Sequence, residues 1–190
     1  MTRTYTLKRR AERKAETRQK IVETAVDLHS TVGPARTSLS MIAERAGVQR
    51  HTVYAHFPDE RSLFLACSGL AMERDPPPDA EPWRKIGDRR ERLGTGLRAL
   101  YDWYARNEGQ AACVLRDAEH HALTREVTEL RLGPYFAGYA EVLGQGLSAR
   151  SRAMLKLALS FHTWRTLARD AGMTTGDAAE AMGEAVTSAA

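Results

Sequence analysis

The chain has 190 residues, of which 43% are hydrophobic and 27% charged, a balance typical of a globular protein with one or two domains. The sequence contains no apolar stretch of the ~20 residues that a membrane span needs, no signal-peptide pattern, and only two cysteines. The composition therefore excludes membrane proteins and disulfide-rich scaffolds, and it predicts a soluble, cytoplasmic protein.

Positive charge is concentrated in the first third of the chain. Residues 1–61 contain 12 Lys and Arg against 7 Asp and Glu, whereas residues 62–190 contain 16 against 17. Within residues 1–20 the numbers are 8 and 2, and the basic side chains are Arg3, Lys8, Arg9, Arg10, Arg13, Lys14, Arg18 and Lys20. Such clustering is typical of nucleic acid-binding proteins, although short basic tails are also often merely disordered. We predict a flexible basic arm at residues 1–14.

Two helices are predicted after the arm. The first covers residues 12–32 and is stopped by Gly33 and Pro34. In the second, Ser38 is placed to cap the free amides of the first turn, and Gly47 is placed where the last turn needs a positive φ. Apolar residues recur between these two caps at offsets of three and four, at Leu39, Ile42, Ala43 and Ala46.

A third short helix completes the pattern and ends after about two turns, because Pro58 disfavours helix at the residue before it. Val48, Val53 and Phe57 are predicted to point inward from the turn and this helix. The remaining side chains are hydrogen-bonding groups that face outward: Gln49, Arg50, His51, Thr52, Tyr54 and His56. The pattern predicts a helix-turn-helix whose second helix, here called the recognition helix, is the candidate for the DNA major groove.

The rest of the chain is predicted to be helical apart from one exposed loop, DPPPDAEP at residues 75–82. A linking helix at residues 58–74 precedes that loop. The helices that follow are predicted at residues 83–107, 110–122, 124–146, 148–171 and 175–188. No segment has the sustained alternation of a strand. The predicted fold is all-α, with a three-helix DNA-binding head at residues 15–61 joined to a larger helical body at residues 62–190.

The helix-turn-helix resembles the DNA-binding half of the TetR family of bacterial repressors. The resemblance covers about the first third of the chain, and the matching residues are Ala46, Gly47, Val48, Thr52, Tyr54, His56, Phe57, Pro58 and Leu63. Three later segments are similar, less specifically, to ligand domains of some TetR-like regulators: ALYDWYARNEG at 99–109, VLRDAE at 114–119 and FHTWRTLARDAG at 161–172. The sequence departs from the family pattern at Gln49, which replaces a capping Ser, and at Glu60, which replaces a phosphate-contacting Lys; Arg61 is the candidate replacement.

The resemblance implies a homodimeric repressor that a small-molecule ligand releases from a palindromic operator in double-stranded DNA. The predicted base or groove contacts are Arg50, His51, Thr52 and Tyr54, with Gln49 also in the candidate set. The predicted phosphate contacts are Thr37, Ser38, Tyr54, His56 and Arg61. The N-terminal arginines are expected to follow the backbone or enter a minor groove.

The body is predicted to provide the ligand pocket and the dimer interface. Mixed aromatic and polar candidates for the pocket are Tyr101, Tyr104, Cys113, Tyr139, His162 and Trp164, each of which could equally be an ordinary core residue. The predicted helix at 148–171 is apolar nearly all round, so it needs two partners, and the small residues of the last helix suit close packing in an antiparallel bundle. The resemblance implies that these last two helices form the dimer.

The sequence leaves one alternative function open and gives no support for an enzyme or a metal site. An architectural DNA-binding protein of the same fold, without an effector, remains an alternative. An enzyme is not expected, because no catalytic constellation is visible. No metal site and no cofactor are predicted: His120 and His121 are adjacent on a helix and diverge by about 100°, and Cys67 and Cys113 lack ligand spacing.

Overall fold

The computed structural model describes residues 2–189, with side chains from Leu7 onward. Within this range the chain is all-α and contains no strand, which confirms the predicted fold class. The helices are α1 (Thr2–Thr31), α2 (Leu39–Ala46), α3 (Arg50–His56), α4 (Glu60–Arg74), α5 (Glu81–Arg84), α6 (Arg89–Arg106), α7 (Glu108–Ala118), α8 (Ala122–Leu143), α9 (Ala149–Ala158), α10 (Phe161–Arg165) and α11 (Thr175–Ser188). A 3₁₀ turn lies at Pro34–Arg36 and a π-helical turn at Thr166–Asp170.

The chain forms two compact units. The first comprises residues 1–76 and 112–131, and the second comprises residues 77–111 and 132–190. The first unit therefore includes more than the head predicted at 15–61, since α4, most of α7 and the start of α8 belong to it. In this unit α1 packs against α2, α3 and α4. In the second unit α11 packs against α6 and α9.

The first unit contains the predicted helix-turn-helix, and its caps are as expected. Ser38 Oγ accepts a hydrogen bond from the Met41 amide at 3.2 Å, and Gly47 has the left-handed φ of 63°. Val53 in α3 and Phe57 directly after it are buried. They complete a core with apolar residues of α1, α2 and α4: Ile21, Val22, Ala25, Leu28, Ile42, Ala43, Ala46, Leu63 and Cys67.

Several boundaries differ from the sequence predictions. The opening helix begins at Thr2 rather than at residue 12, because residues 7–14 are almost all strong helix formers. The predicted helix at 83–107 is two helices, since Asp88 accepts a hydrogen bond from the Glu91 amide at 2.8 Å and starts α6. The loop at 75–82 is not fully exposed, because Pro77 and Ala80 are buried.

The largest correction concerns the predicted continuous helix at 148–171, which is broken between α9 and α10. In a continuous helix the carbonyls of Ala158 and Leu159 would accept bonds from amides four residues later. Here the His162 amide donates to Ser160 Oγ instead. The Tyr101 hydroxyl donates to the Ala158 carbonyl at 2.8 Å, and the Tyr104 hydroxyl donates to the Leu159 carbonyl at 2.7 Å. The two tyrosines of α6 thus satisfy the groups that the break leaves open.

Replacing either tyrosine with phenylalanine is expected to destabilise the second unit. Tyr101→Phe and Tyr104→Phe each leave a buried carbonyl without its donor, which should lower the free energy of unfolding by about 1–3 kcal/mol. Urea titration measures this change. Tyr135→Phe, at a half-buried position on α8, is the matched control. A loss no greater than that of the control would contradict the assigned bracing role.

A buried histidine and cysteine lie together in the first unit. The Sγ atom of Cys67 is 3.4 Å from Nδ1 of His29, and the thiol donates to the Phe64 carbonyl at 3.3 Å. Burial raises the pKa of Cys67 to about 12. Burial is also the largest effect on His29, where it outweighs the attraction of Asp117 and lowers the pKa to about 4. Both groups are therefore uncharged at neutral pH, and the pair is not an activated nucleophile.

The low pKa of His29 predicts a loss of stability in acid. The unfolded chain binds a proton at about pH 6.5, whereas the folded chain resists protonation down to about pH 4. The free energy of unfolding should therefore be constant above pH 6.5 and fall by about 3 kcal/mol as the pH drops toward 4.

Urea titrations across this pH range test that expectation. His29→Gln should reduce the fall in the free energy of unfolding between pH 6.5 and pH 4. His162→Gln, at an exposed imidazole, should leave that fall as in the wild type. If the free energy of unfolding of His29→Gln falls as much as that of the wild type, the loss of stability in acid is caused by other groups.

Candidate nucleic-acid interface

The recognition helix α3 is anchored on one side and exposed on the other. Val53 and Phe57 are buried against the core of the first unit. Gln49, Arg50, His51 and Tyr54 are exposed. Thr52 and His56 are half-buried, so all six predicted side chains of this helix and its N-cap retain some access to solvent. The Gln49 side chain makes no capping hydrogen bond.

Two exposed residues of α3 contact each other. Nη2 of Arg50 donates a hydrogen bond to the Tyr54 hydroxyl at 3.1 Å, and the guanidinium carbon of Arg50 lies 5.6 Å from the centroid of the Tyr54 ring. The spacing of four residues places both on one face of the helix. The sequence predicts two independent DNA contacts, whereas the structure pairs them, and the spacing of four residues is the signal in the sequence that indicates such a pair.

Basic residues of α1 flank the end of α3. The Arg18 guanidinium lies over the Phe57 ring, 4.9 Å from its centroid. Burial, followed by the positive charges of Lys14 and Arg18, lowers the pKa of His56, so the imidazole is neutral at pH 7. The basic surface therefore continues from α1 to the recognition helix. Lys14, predicted as part of a flexible arm, belongs to the helical end of this surface.

The loop that leads into α2 is held by the end of α7. The Asp117 carboxylate is 1% exposed. It accepts a bond from the Ala35 amide at 2.9 Å and from Arg116 Nε at 2.8 Å, and Arg116 Nη2 donates to the Val32 carbonyl at 3.1 Å. Gly33 has a φ of 103°, and a Cβ there would collide with the Arg116 and Asp117 side chains. No local sequence signal could have joined residues 82 positions apart.

The predicted phosphate contacts before and after the motif are not equally available. The Ser38 hydroxyl caps α2 at an exposed position. The Thr37 side chain is buried and donates to the Gly33 carbonyl at 2.8 Å, so its hydroxyl serves the loop. Arg61 is exposed but forms an ion pair with Glu126 at 2.8 Å. A phosphate would have to compete with that carboxylate for Arg61.

The predicted pocket residues are divided between the two units. Four of them are buried in the second unit: Tyr101, Tyr104, Tyr139 and Trp164. His162 is exposed in the same unit, and Cys113 is half-buried in the first unit. Tyr139 donates its hydroxyl to the Pro78 carbonyl at 2.6 Å. Burial raises the pKa of all three tyrosines. Their hydroxyls are therefore neutral donors that are already engaged with the backbone.

Trp164 differs from the other aromatic residues in having an unused donor. Its ring is fully buried and lies 5.8 Å from Tyr104 and 5.4 Å from Phe161. The buried indole Nε1 has no hydrogen-bond partner within the described part of the chain. A buried N–H without an acceptor is costly and rare. The site therefore favours an acceptor atom from a water molecule or a ligand.

The chain matches the family model of bacterial regulatory proteins of the TetR family over residues 21–67. It is 33% identical over 116 residues to the HTH-type transcriptional regulator AcrR of Shigella flexneri, which covers 61% of this chain and 44% of that protein. It is 32% identical over 140 residues to an uncharacterised HTH-type transcriptional regulator of Mycobacterium bovis, with coverage of 72% of this chain and 66% of the relative. The chain thus spans about half to two thirds of these curated relatives.

A solved structure supports the same fold over most of the chain. The regulator FadR of Bacillus subtilis, in complex with stearoyl-CoA, superposes with a TM-score of 0.62 and 18% sequence identity, and the match covers 90% of this chain and 98% of that chain. At this level of identity the likeness concerns the fold. No helix within residues 2–189 combines the length and the apolar character needed to cross a membrane.

Proposed function

We propose that this chain, which belongs to the TetR family of bacterial regulatory proteins, is a DNA-binding transcriptional regulator that acts as a repressor. The observation that carries the proposal is the geometry of α3. One side of this helix is fixed by buried Val53 and Phe57, while the opposite side presents Arg50, His51 and Tyr54 to solvent. A rigidly held helix with hydrogen-bonding side chains is the element that reads bases in a major groove.

The charge around the recognition helix supports DNA as the partner. Lys14 and Arg18 lie close enough to His56 to lower its pKa, so they extend the interface beyond α3. Phosphate contacts orient the protein, and base contacts specify the sequence. In the proposed interface Arg50, His51, Thr52 and Tyr54 read the groove, whereas Ser38, His56 and the basic residues of α1 contact phosphates.

The proposed repressor is released from its operator by a small molecule bound in the second unit. Two features support this site: the donor of buried Trp164, which has no partner in the described part of the chain, and the fold shared with FadR, which is in complex with stearoyl-CoA. An effector can shift the protein away from DNA by no more than its differential affinity for the two states. The proposed effector therefore binds a conformation in which the two DNA-binding heads of a dimer do not match successive grooves.

A homodimer is part of the proposal because one seven-residue recognition helix reaches few bases, whereas a two-fold dimer reads two half-sites. The proposed interface lies on α9 and α11. Leu157 on α9 is 51% exposed, so its side chain is accessible to a second copy of the chain. By contrast, Trp164 is fully buried in its own unit, so it does not belong to an exposed second face of the predicted helix.

Selection of DNA by the purified protein tests the proposed function. Repeated binding to random duplexes should enrich a palindromic sequence with two half-sites. The logarithm of affinity for that duplex should fall linearly with the logarithm of salt concentration. Lys14→Gln should reduce this slope by about 0.9 per protomer if it removes one phosphate contact, and Lys85→Gln, at an exposed lysine of the second unit, should leave it unchanged. Enrichment of no sequence, with salt-dependent binding to all duplexes, would favour the architectural alternative.

Sedimentation tests the proposed dimer interface. Leu157→Glu places a charge on α9 and should yield monomers at concentrations at which the wild type is dimeric. Leu130→Glu is the control, since Leu130 is similarly exposed, at 54%, but lies on α8 in the first unit. Deletion of α11 would be a poor test because its Ala178, Ala179, Met182 and Val186 are buried. A dimer that survives Leu157→Glu would move the interface elsewhere.

A further inference from the structure

The pairing of Arg50 with Tyr54 gives the tyrosine a role beyond its own contact with DNA. Their hydrogen bond of 3.1 Å and the position of the guanidinium over the ring, at 5.6 Å, give Arg50 two contacts with the same side chain. Both residues are exposed, and Tyr54 retains 42% of its accessible surface. The pair is therefore formed on the face that the proposed function directs at DNA.

The positive charge of Arg50 is not placed to stabilise its own helix. It is the first residue of α3, and the first turn contains no acidic residue. A positive charge at a helix N-terminus opposes the helix dipole. This charge is thus unfavourable at the start of α3, while an arginine at the start of a recognition helix can reach a base edge and pair with guanine through two hydrogen bonds.

We propose that Tyr54 is a positioning residue for base reading, whose hydroxyl holds the Arg50 guanidinium in the orientation that meets a base. This inference rests on the proposed function and deepens it. An exposed arginine loses rotamer freedom when it binds, and a partner that orders the side chain beforehand reduces this cost. Tyr54 thereby contributes to specificity at the base that Arg50 contacts.

The chemistry of the phenol allows this role together with a phosphate contact. A tyrosine hydroxyl accepts and donates. Its oxygen accepts the bond from Arg50, so its hydrogen remains available to a phosphate oxygen. A tyrosine that acted only as a phosphate anchor would behave differently, because loss of such a contact weakens binding to every sequence about equally.

A double-mutant cycle on the full-length protein separates the two roles. The probes are the duplex enriched by selection and a panel of its single-base-pair variants, with wild type, Arg50→Ala, Tyr54→Phe and the double variant. Arg50→Ala should lower discrimination at one base-pair position of each half-site by about tenfold. Tyr54→Phe should lower it at that same position by about fivefold. The double variant should discriminate there no worse than Arg50→Ala alone.

The same cycle with Thr52→Ala in place of Arg50→Ala is the matched control, since Thr52 lies on the same helix two residues from Tyr54, and the effects should be additive. Both Arg50 and Tyr54 are exposed, so circular dichroism of the variants should equal that of the wild type. Equal weakening of all duplexes by Tyr54→Phe, or additive effects of Arg50→Ala and Tyr54→Phe, would overturn the positioning role while leaving the proposed function intact. Failure to enrich any duplex would instead overturn the proposed function.

Discussion

The presentation of the recognition helix depends on the left-handed backbone at Gly47. A residue with a Cβ is disfavoured at a φ of 63°, so glycine allows the chain to leave α2 and turn within three residues into α3. That turn brings Val53 and Phe57 onto the core formed with α1. The polar residues between these two anchors then have a fixed direction. The proposed base reading thus depends on an apolar contact inside the first unit.

The loop before α2 is held by hydrogen bonds from residues that are distant in the sequence. Burial opposes ionisation of Asp117, but the bonds from Arg116 and the Ala35 amide outweigh it and lower the pKa of the carboxyl group. The charged carboxylate fixes a segment that contains Gly33 and Pro34 and ends at the Ser38 cap. α7 begins in the second unit and ends in the first, and its last residues hold this loop.

The second unit uses its aromatic residues mainly for structure. The sequence predicts Tyr101 and Tyr104 as pocket residues because each combines a ring with a polar group. The structure assigns their hydroxyls to the carbonyls exposed by the break between α9 and α10. Trp164 is the exception, since its buried indole N–H has no acceptor among residues 2–189. The unsatisfied donor of Trp164 therefore supports a ligand site more strongly than the number of aromatic rings does.

The sequence by itself determined the all-α class, the helix-turn-helix with its Ser38 and Gly47 caps, and the bounds of α11, because these features follow from periodicity and from preferences of residues close in the chain. It also supplied the polar face of α3. Only the tertiary structure decided that Asp117 holds Ala35, that Glu126 pairs with Arg61, and that the helix predicted at 148–171 breaks. These outcomes depend on partners more than 50 residues away, and no local pattern encodes which distant groups will satisfy a charge or an open carbonyl.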